Sequence, residues 1–300
     1  MSDPLKGVFA MLVASIVWGL SGIYYKALGH IPPLEILSHR TIWSLVFLAL
    51  VLLGQGRLQL VWANLRNRRT LAMLAASAIL ISANWGMFIF SIQMGWAMES
   101  SFGYYIFPLV AVALGFLALK ERLSRAKTVA VSIAAIAVLT LGIGLGSPPW
   151  VSLFLAGTFG AYGLIKNRLD VGPVVSVFIE VLLLAPIALI YLFLKSTAFG
   201  TNTHDTIMLI FAGIITGGPL ILMSYAARRI SLSALGLVQY VNPTIQFFVA
   251  TFIFLEPFTK WHAIAFPAIW VGLAIYTIDS WRQDRSARKR AKSVGTSSTT

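Results

Sequence analysis

Between Lys6 and Lys26 the chain carries no charged residue, and runs of similar length and apolarity recur almost to its C-terminus. A helix of about 20 apolar residues spans the roughly 30 Å hydrocarbon layer of a bilayer with every backbone donor and acceptor paired inside it. By that ruler ten spans are predicted, over 7–27, 34–54, 71–91, 99–119, 127–146, 150–166, 173–194, 206–226, 233–255 and 262–279. A composition that is 58% hydrophobic and 11% charged agrees, because so little polar surface cannot cover a water-soluble globule. The expected fold class is all-α and integral to a membrane. No small-residue cleavage signature follows the first run, so it is read as a retained helix.

The spans fall into two related sets. Ser101–Ser124 returns in degenerate form as Gly236–Thr259, and an offset of 135 superposes Tyr105 on Tyr240, Pro108 on Pro243 and Glu121 on Glu256. Weaker echoes link Trp18-Gly19 to Phe159-Gly160 and Lys26 to Lys166. The predicted organisation is a five-helix repeat over 1–146, a second over 150–279, an external turn at 146–149 between them, and a disordered basic tail over 280–300. Five is odd, so the second repeat enters the membrane inverted. Such pairs place a pseudo-two-fold axis in the membrane plane and a solute site near the midplane.

Orientation follows from the cations. With the N-terminus inside, every Lys and Arg except Lys26, Arg40, Lys195 and Lys260 falls in an inner connection or the tail. Cytoplasmic loops retain such residues, so both termini of this multi-pass protein are expected in the cytoplasm. A net charge of +13 invites a nucleic-acid reading, but the cations alternate with apolar runs. Anionic lipid headgroups at the cytoplasmic face are the expected partners instead.

Several chemistries have no residues to carry them. There is no cysteine, and His30, His39, His204 and His262 form no paired-ligand motif. No phosphate loop of the Gly-x-x-x-x-Gly-Lys-Ser/Thr type, His-Glu-x-x-His or Gly-x-Ser-x-Gly occurs, and Gly142-x-Gly144-x-Gly146 runs into Ser-Pro-Pro. Neither a cofactor, a metal nor an enzyme activity is expected.

Ionisable groups deep in a span cost about 2.5–3.5 kcal/mol on insertion scales, so each needs a partner, a wet cavity or a function. Arg40 and Glu180 lie at equivalent depths of the second and seventh spans, related by an offset of 140. They are expected to face a central cavity from opposite halves, Arg40 holding an anionic group and Glu180 pairing with it or carrying a proton. A structural ion pair is the alternative. His39 could titrate near neutral pH, yet a helical neighbour of Arg40 points about 100° away. Asn84, Trp85, Tyr104, Tyr105, Gln239, Asn242 and Gln246 complete the expected substrate-binding set, the last group falling on one helix face. Hydrogen bonding between helices would explain them equally. Pro108 and Pro243 are expected to kink their helices, and Glu121 and Glu256 to pair with cations at the surface.

The run Glu35-Ile-Leu-Ser-His-Arg40, Asn84-Trp85-Gly86, Gly103-Tyr104-Tyr105 with Pro108, Glu121-Arg122-Leu123-Ser124, Gln239-Tyr240 with Pro243, and Phe266–Trp270 together resemble the EamA group of the drug/metabolite transporter superfamily. The resemblance extends over about 5–280. It implies a ten-helix transporter of a bacterial inner membrane with cytoplasmic termini, and leaves the substrate open. The function expected is secondary transport, by export or exchange, of a small organic or drug-like molecule. A membrane enzyme acting on a lipid-linked substrate would need an acid/base cluster at one interface. A non-transporting scaffold or receptor would leave Arg40 and Glu180 without a purpose.

Overall fold

The computed structural model describes residues 3–119, 124–146, 149–230 and 232–297, without the side chains of 115, 118, 119, 232, 233, 280 and 283–297. Those residues are all helix and connection: α1 Asp3–Ala27, α2 Pro33–Gly54, α3 Leu58–Arg66, α4 Arg68–Gln93, α5 Ala97–Leu119, α6 Arg125–Leu145, α7 Trp150–Asn167, α8 Pro173–Lys195, α9 Thr203–Ala227, α10 Leu232–Gln239, α11 Val241–Phe248, a π-helical turn Val249–Ile253, and α12 Lys260–Ser297. Eight of these helices are long and apolar enough to cross a membrane. The shorter α7 and the broken rod α10–α11–π turn occupy the two remaining predicted spans.

Local chemistry sets the ends. Pro33 and Pro173 open α2 and α8, where a missing backbone donor costs nothing. The Asn67 and Asn202 side chains accept from the first-turn amides of α4 and α9. Gly146, at φ +69°, closes α6 in the left-handed conformation.

Helix packing carries the repeat symmetry. Exchanging α1 with α7, α2 with α8, α4 with α9, α5 with α11 and α6 with α12 maps the contact α5–α7 onto α1–α11, α4–α7 onto α1–α9, and α4–α8 onto α2–α9. The contacts α2–α8, α5–α11 and α6–α12 map onto themselves. Partners in this exchange run in opposite directions, because each repeat has five rods. The relation is therefore an inverted one. Close approach is built from small residues: a Cβ on Gly19 would lie 2.7 Å from Ile245 of α11, and one on Gly213 would lie 2.4 Å from the Trp43 carbonyl of α2.

Three elements differ from expectation. α3, unforeseen, places Leu58, Val61 and Leu65 on one side and leaves Trp62 66% exposed, the form of an interfacial helix. The ninth rod is broken outright rather than kinked: α10 ends at Gln239, whose carbonyl Pro243 has no N–H to meet, and Pro243 falls in the first turn of α11. Beyond residue 280, where disorder is predicted, the backbone continues helical to Ser297. Arg and Lys together are the commonest residues there and the first glycine is Gly295, so nothing in the local propensities stops the helix sooner. Glu121 and Arg122 lie outside the described residues, as do Ser147 and Pro148 of the expected turn.

Candidate functional site

A cavity of about 610 Å³ lies between the repeats, within the range of small-molecule sites. Its lining reaches the exposed Asn167 and Leu237 at the face that holds both termini, together with Lys127 and Thr277. Toward the opposite face it ends on the buried Tyr25, Arg40 and Phe88. The cavity thus has a mouth at the termini face and a floor about two-thirds of the way across.

Arg40 stands on that floor. It is 6% exposed, and its guanidinium carbon lies 4.1 Å from the ring centre of Trp85 and 5.7 Å from that of Tyr25. Desolvated cation–aromatic contacts of this kind are worth about 2 kcal/mol. Its Nε has no hydrogen-bond partner.

Asn84, also on the lining, is a three-way tie. Its Nδ2 donates to the Leu155 carbonyl and to Thr158 Oγ1 at 3.0 Å each, and its Oδ1 accepts from Tyr104 at 3.0 Å, so α4, α5 and α7 meet on one side chain. Gln239, Asn242 and Gln246 line the other wall. Gln246 Nε2 donates to Asn242 Oδ1 at 2.9 Å, leaving Gln246 Oε1 buried and without a partner. Tyr104, Phe159 and Tyr162 form an aromatic ladder, with Phe159 stacked on Tyr162.

Arg40, Asn84, Trp85, Tyr104, Gln239, Asn242 and Gln246 thus lie around one cavity, as expected. Glu180, Tyr105 and His39 do not. Glu180 is fully buried and accepts from Ser77 Oγ at 2.6 Å, Lys166 Nζ at 2.8 Å and Tyr162 at 3.3 Å. Lys166 also bonds Ser176. The expected pairing of Glu180 with Arg40 fails for a geometric reason: each is the eighth residue of its helix, but the helices start from opposite faces. At 1.5 Å per residue that leaves the two about 10 Å apart in depth. Tyr105 turns away to Thr244 Oγ1, 2.7 Å distant, and the His39 ring stacks on Phe199 at 4.7 Å. Lys166 as partner of Glu180 was not foreseen; opposite charges near the same end of the consecutive helices α7 and α8 were the available signal. Tyr25 beneath Arg40 carried no sequence signal at all.

The end opposite the mouth is tied by carboxylates. Glu35 accepts from the Ser196 and Thr197 hydroxyls and from the Thr197 and Ala198 amides. Asp205 meets His30 at 2.8 Å. Glu256, expected to form a surface ion pair, instead accepts the Ala97 and Met98 amides at the start of α5, at 2.7 Å each. An anion at a helix N-terminus satisfies otherwise orphaned donors. Leu255, at φ +53°, provides the turn that swings Glu256 back. Burial pushes the Glu256 carboxyl above the usual range, against the opposing pull of the two amides and Lys26.

Inverted five-helix repeats around a polar, aromatic cavity with one open end are an architecture in which membrane carriers are built. Residues 5–143 and 149–278 each match the EamA-like transporter family, and the chain belongs to that family. It is 39% identical to the uncharacterized transporter YojE of Bacillus subtilis over 293 residues, covering 96% of this chain and 98% of that one. It is 39% identical to protein RarD of Streptomyces exfoliatus, covering 93% and 90%, and 35% identical to protein RarD of Escherichia coli, covering 95% and 98%. A solved crystal structure superposes with a TM-score of 0.60 at 17% identity, over 91% of this chain and 97% of that one, a likeness of fold alone.

Proposed function

We propose that the protein is a secondary transporter of a bacterial inner membrane, with both termini cytoplasmic, that exports or exchanges a small organic solute by alternating access. The observation that carries this reading is the cavity between the repeats, open at the termini face and tied shut at the other by Glu35, Asp205 and Glu256. In this reading the described state faces the cytoplasm, and rocking of 1–146 against 150–279 would open the opposite end. Arg40, Trp85, Asn84, Tyr104, Gln239, Asn242 and Gln246 are the solute-facing groups, while Glu180 and Tyr105 hold the helices that carry them. The basic residues of the termini face meet anionic headgroups. The test is solute counterflow in proteoliposomes with a metabolite panel, with and without a pH gradient. Accelerated exchange of at least one solute is expected, and no exchange of any would overturn the reading.

A further inference from the structure

We infer that the cavity takes an organic anion with a flat apolar body, its acidic group docking on Arg40. The inference rests on the transporter reading and names the substrate class for the same site. Three observations carry it.

The first is the charge balance of the lining. Among the described residues Arg40 meets no carboxylate, and the lining holds a second cation, Lys127, at the mouth but no acid. Glu180 is already matched by Lys166, and Glu35, on the same helix as Arg40, is taken up by Ser196, Thr197 and Ala198. A buried cation without a partner is costly, and an entering anion relieves that cost where a neutral solute or a cation does not. Lys127 at the entrance adds an attractive field for the same sign.

The second is orientation. The Trp85 ring lies 4.1 Å from the guanidinium carbon and offers no acceptor, so the N–H groups, which lie in the guanidinium plane, are left to meet an acceptor edge-on. Nε is buried and unpartnered, so the protein itself does not satisfy the fork. That fork matches the spacing of two oxygens on a carboxylate, sulfonate or phosphate group.

The third is the shape of the walls. Trp85, Phe88, Tyr104, Phe159 and Tyr162 surround the approach to Arg40, and rings pack best against flat, apolar partners. The body of the solute, rather than its charge, is what these residues read.

Benzenesulfonate is the probe, because it stays ionised at any working pH and does not leak through bilayers. Binding to the purified full chain would be measured by thermal shift at constant ionic strength, against benzenesulfonamide, methanesulfonate and benzyltrimethylammonium. Benzenesulfonate is expected to bind at least tenfold more tightly than each. Parity with benzenesulfonamide or the cation, or no binding by any probe, would overturn the anion class; parity with methanesulfonate would overturn the flat body. In Arg40→Lys binding should weaken but persist, and in Arg40→Gln it should vanish. Should Arg40→Gln fail to fold, the wild-type comparison alone decides. Counterflow of labelled benzenesulfonate separates the two claims: Arg40-dependent binding with no flux of any solute sinks the transporter and leaves the site, whereas flux confined to neutral or cationic solutes sinks the anion class and leaves the transporter.

Discussion

At the scale of single residues, the polar groups inside this bundle divide into those that tie helices together and those left free to meet a solute. Glu180 belongs to the first set, since three donors already surround it. Removing its charge in Glu180→Gln strands the Lys166 ammonium, and breaking such a buried pair from one side costs about 3–5 kcal/mol. The double variant Lys166→Met/Glu180→Leu removes both charges and is expected to be more stable than Glu180→Gln alone. Thermal unfolding of the two purified proteins checks the order; the reverse order would mean that the pair is not the source of the cost. Repeat symmetry made Glu180 stand out in the sequence, but an inverted axis sends equivalent residues to different depths, and the partner could not be read from equivalence. Neighbour geometry separates some adjacent pairs and not others, since Asn84 and Trp85 both line the cavity. A turn of 100° per residue separates Arg40 from His39, and the same rule applies to Tyr104 and Tyr105, of which only the former reaches the cavity.

At the scale of elements, the two copies of the Tyr-x-x-Pro helix have diverged. Pro108 lies in the interior of the continuous α5, where it removes a ladder hydrogen bond, whereas Pro243 sits in the first turn of α11, where that donor has no helical partner. Pro108→Ala is therefore expected to raise the unfolding temperature, by restoring a donor worth about 1 kcal/mol, and Pro243→Ala to leave it nearly unchanged. Equal shifts would contradict the break at Tyr240. The helices themselves were legible because a 20-residue apolar run has few alternatives in lipid. The break was legible only as a bend, because Pro243 leaves the Gln239 carbonyl without its helical donor but nothing in Gln239-Tyr240-Val241 says that the rod divides there. The α5 cap was hidden, since Glu256 is distant in sequence from Ala97. Its folded carboxyl lies above the free glutamate value, so its contribution to stability is fully present below that value and is lost as pH rises through the folded one. Glu256→Gln, which mimics the protonated form, should flatten this pH dependence and unfold at nearly the wild-type temperature under acid conditions. Glu256→Ala, with no acceptor for the Ala97 and Met98 amides, should lose about 1 kcal/mol at every pH. Unfolding curves at pH 5 and pH 7 separate the three proteins.

At the scale of the whole molecule, orientation and access are one question, because the cavity opens at the face that carries both termini. The chain contains no cysteine, so a single introduced thiol reports its own position without background. Asn167 is exposed at the mouth and Thr201 is exposed in the α8–α9 connection at the opposite face. A membrane-impermeant thiol reagent is expected to label Thr201→Cys in intact cells, and Asn167→Cys only after the membrane is opened. Labelling of both from outside would place the mouth on the wrong side or remove the bilayer from between them. Alternating access adds a second requirement, which a static pore would not meet. A cysteine at Ile81, buried on the cavity wall, should be reached from the mouth side, and its labelling from the far side should rise when Glu35→Gln weakens the tie to Ser196, Thr197 and Ala198. A ligand that favours one of two states shifts their populations only by its differential affinity for them. Saturating benzenesulfonate should accordingly change the ratio of labelling from the two sides, and a ratio fixed under both the substitution and the ligand would leave a cavity that binds but a bundle that does not rock.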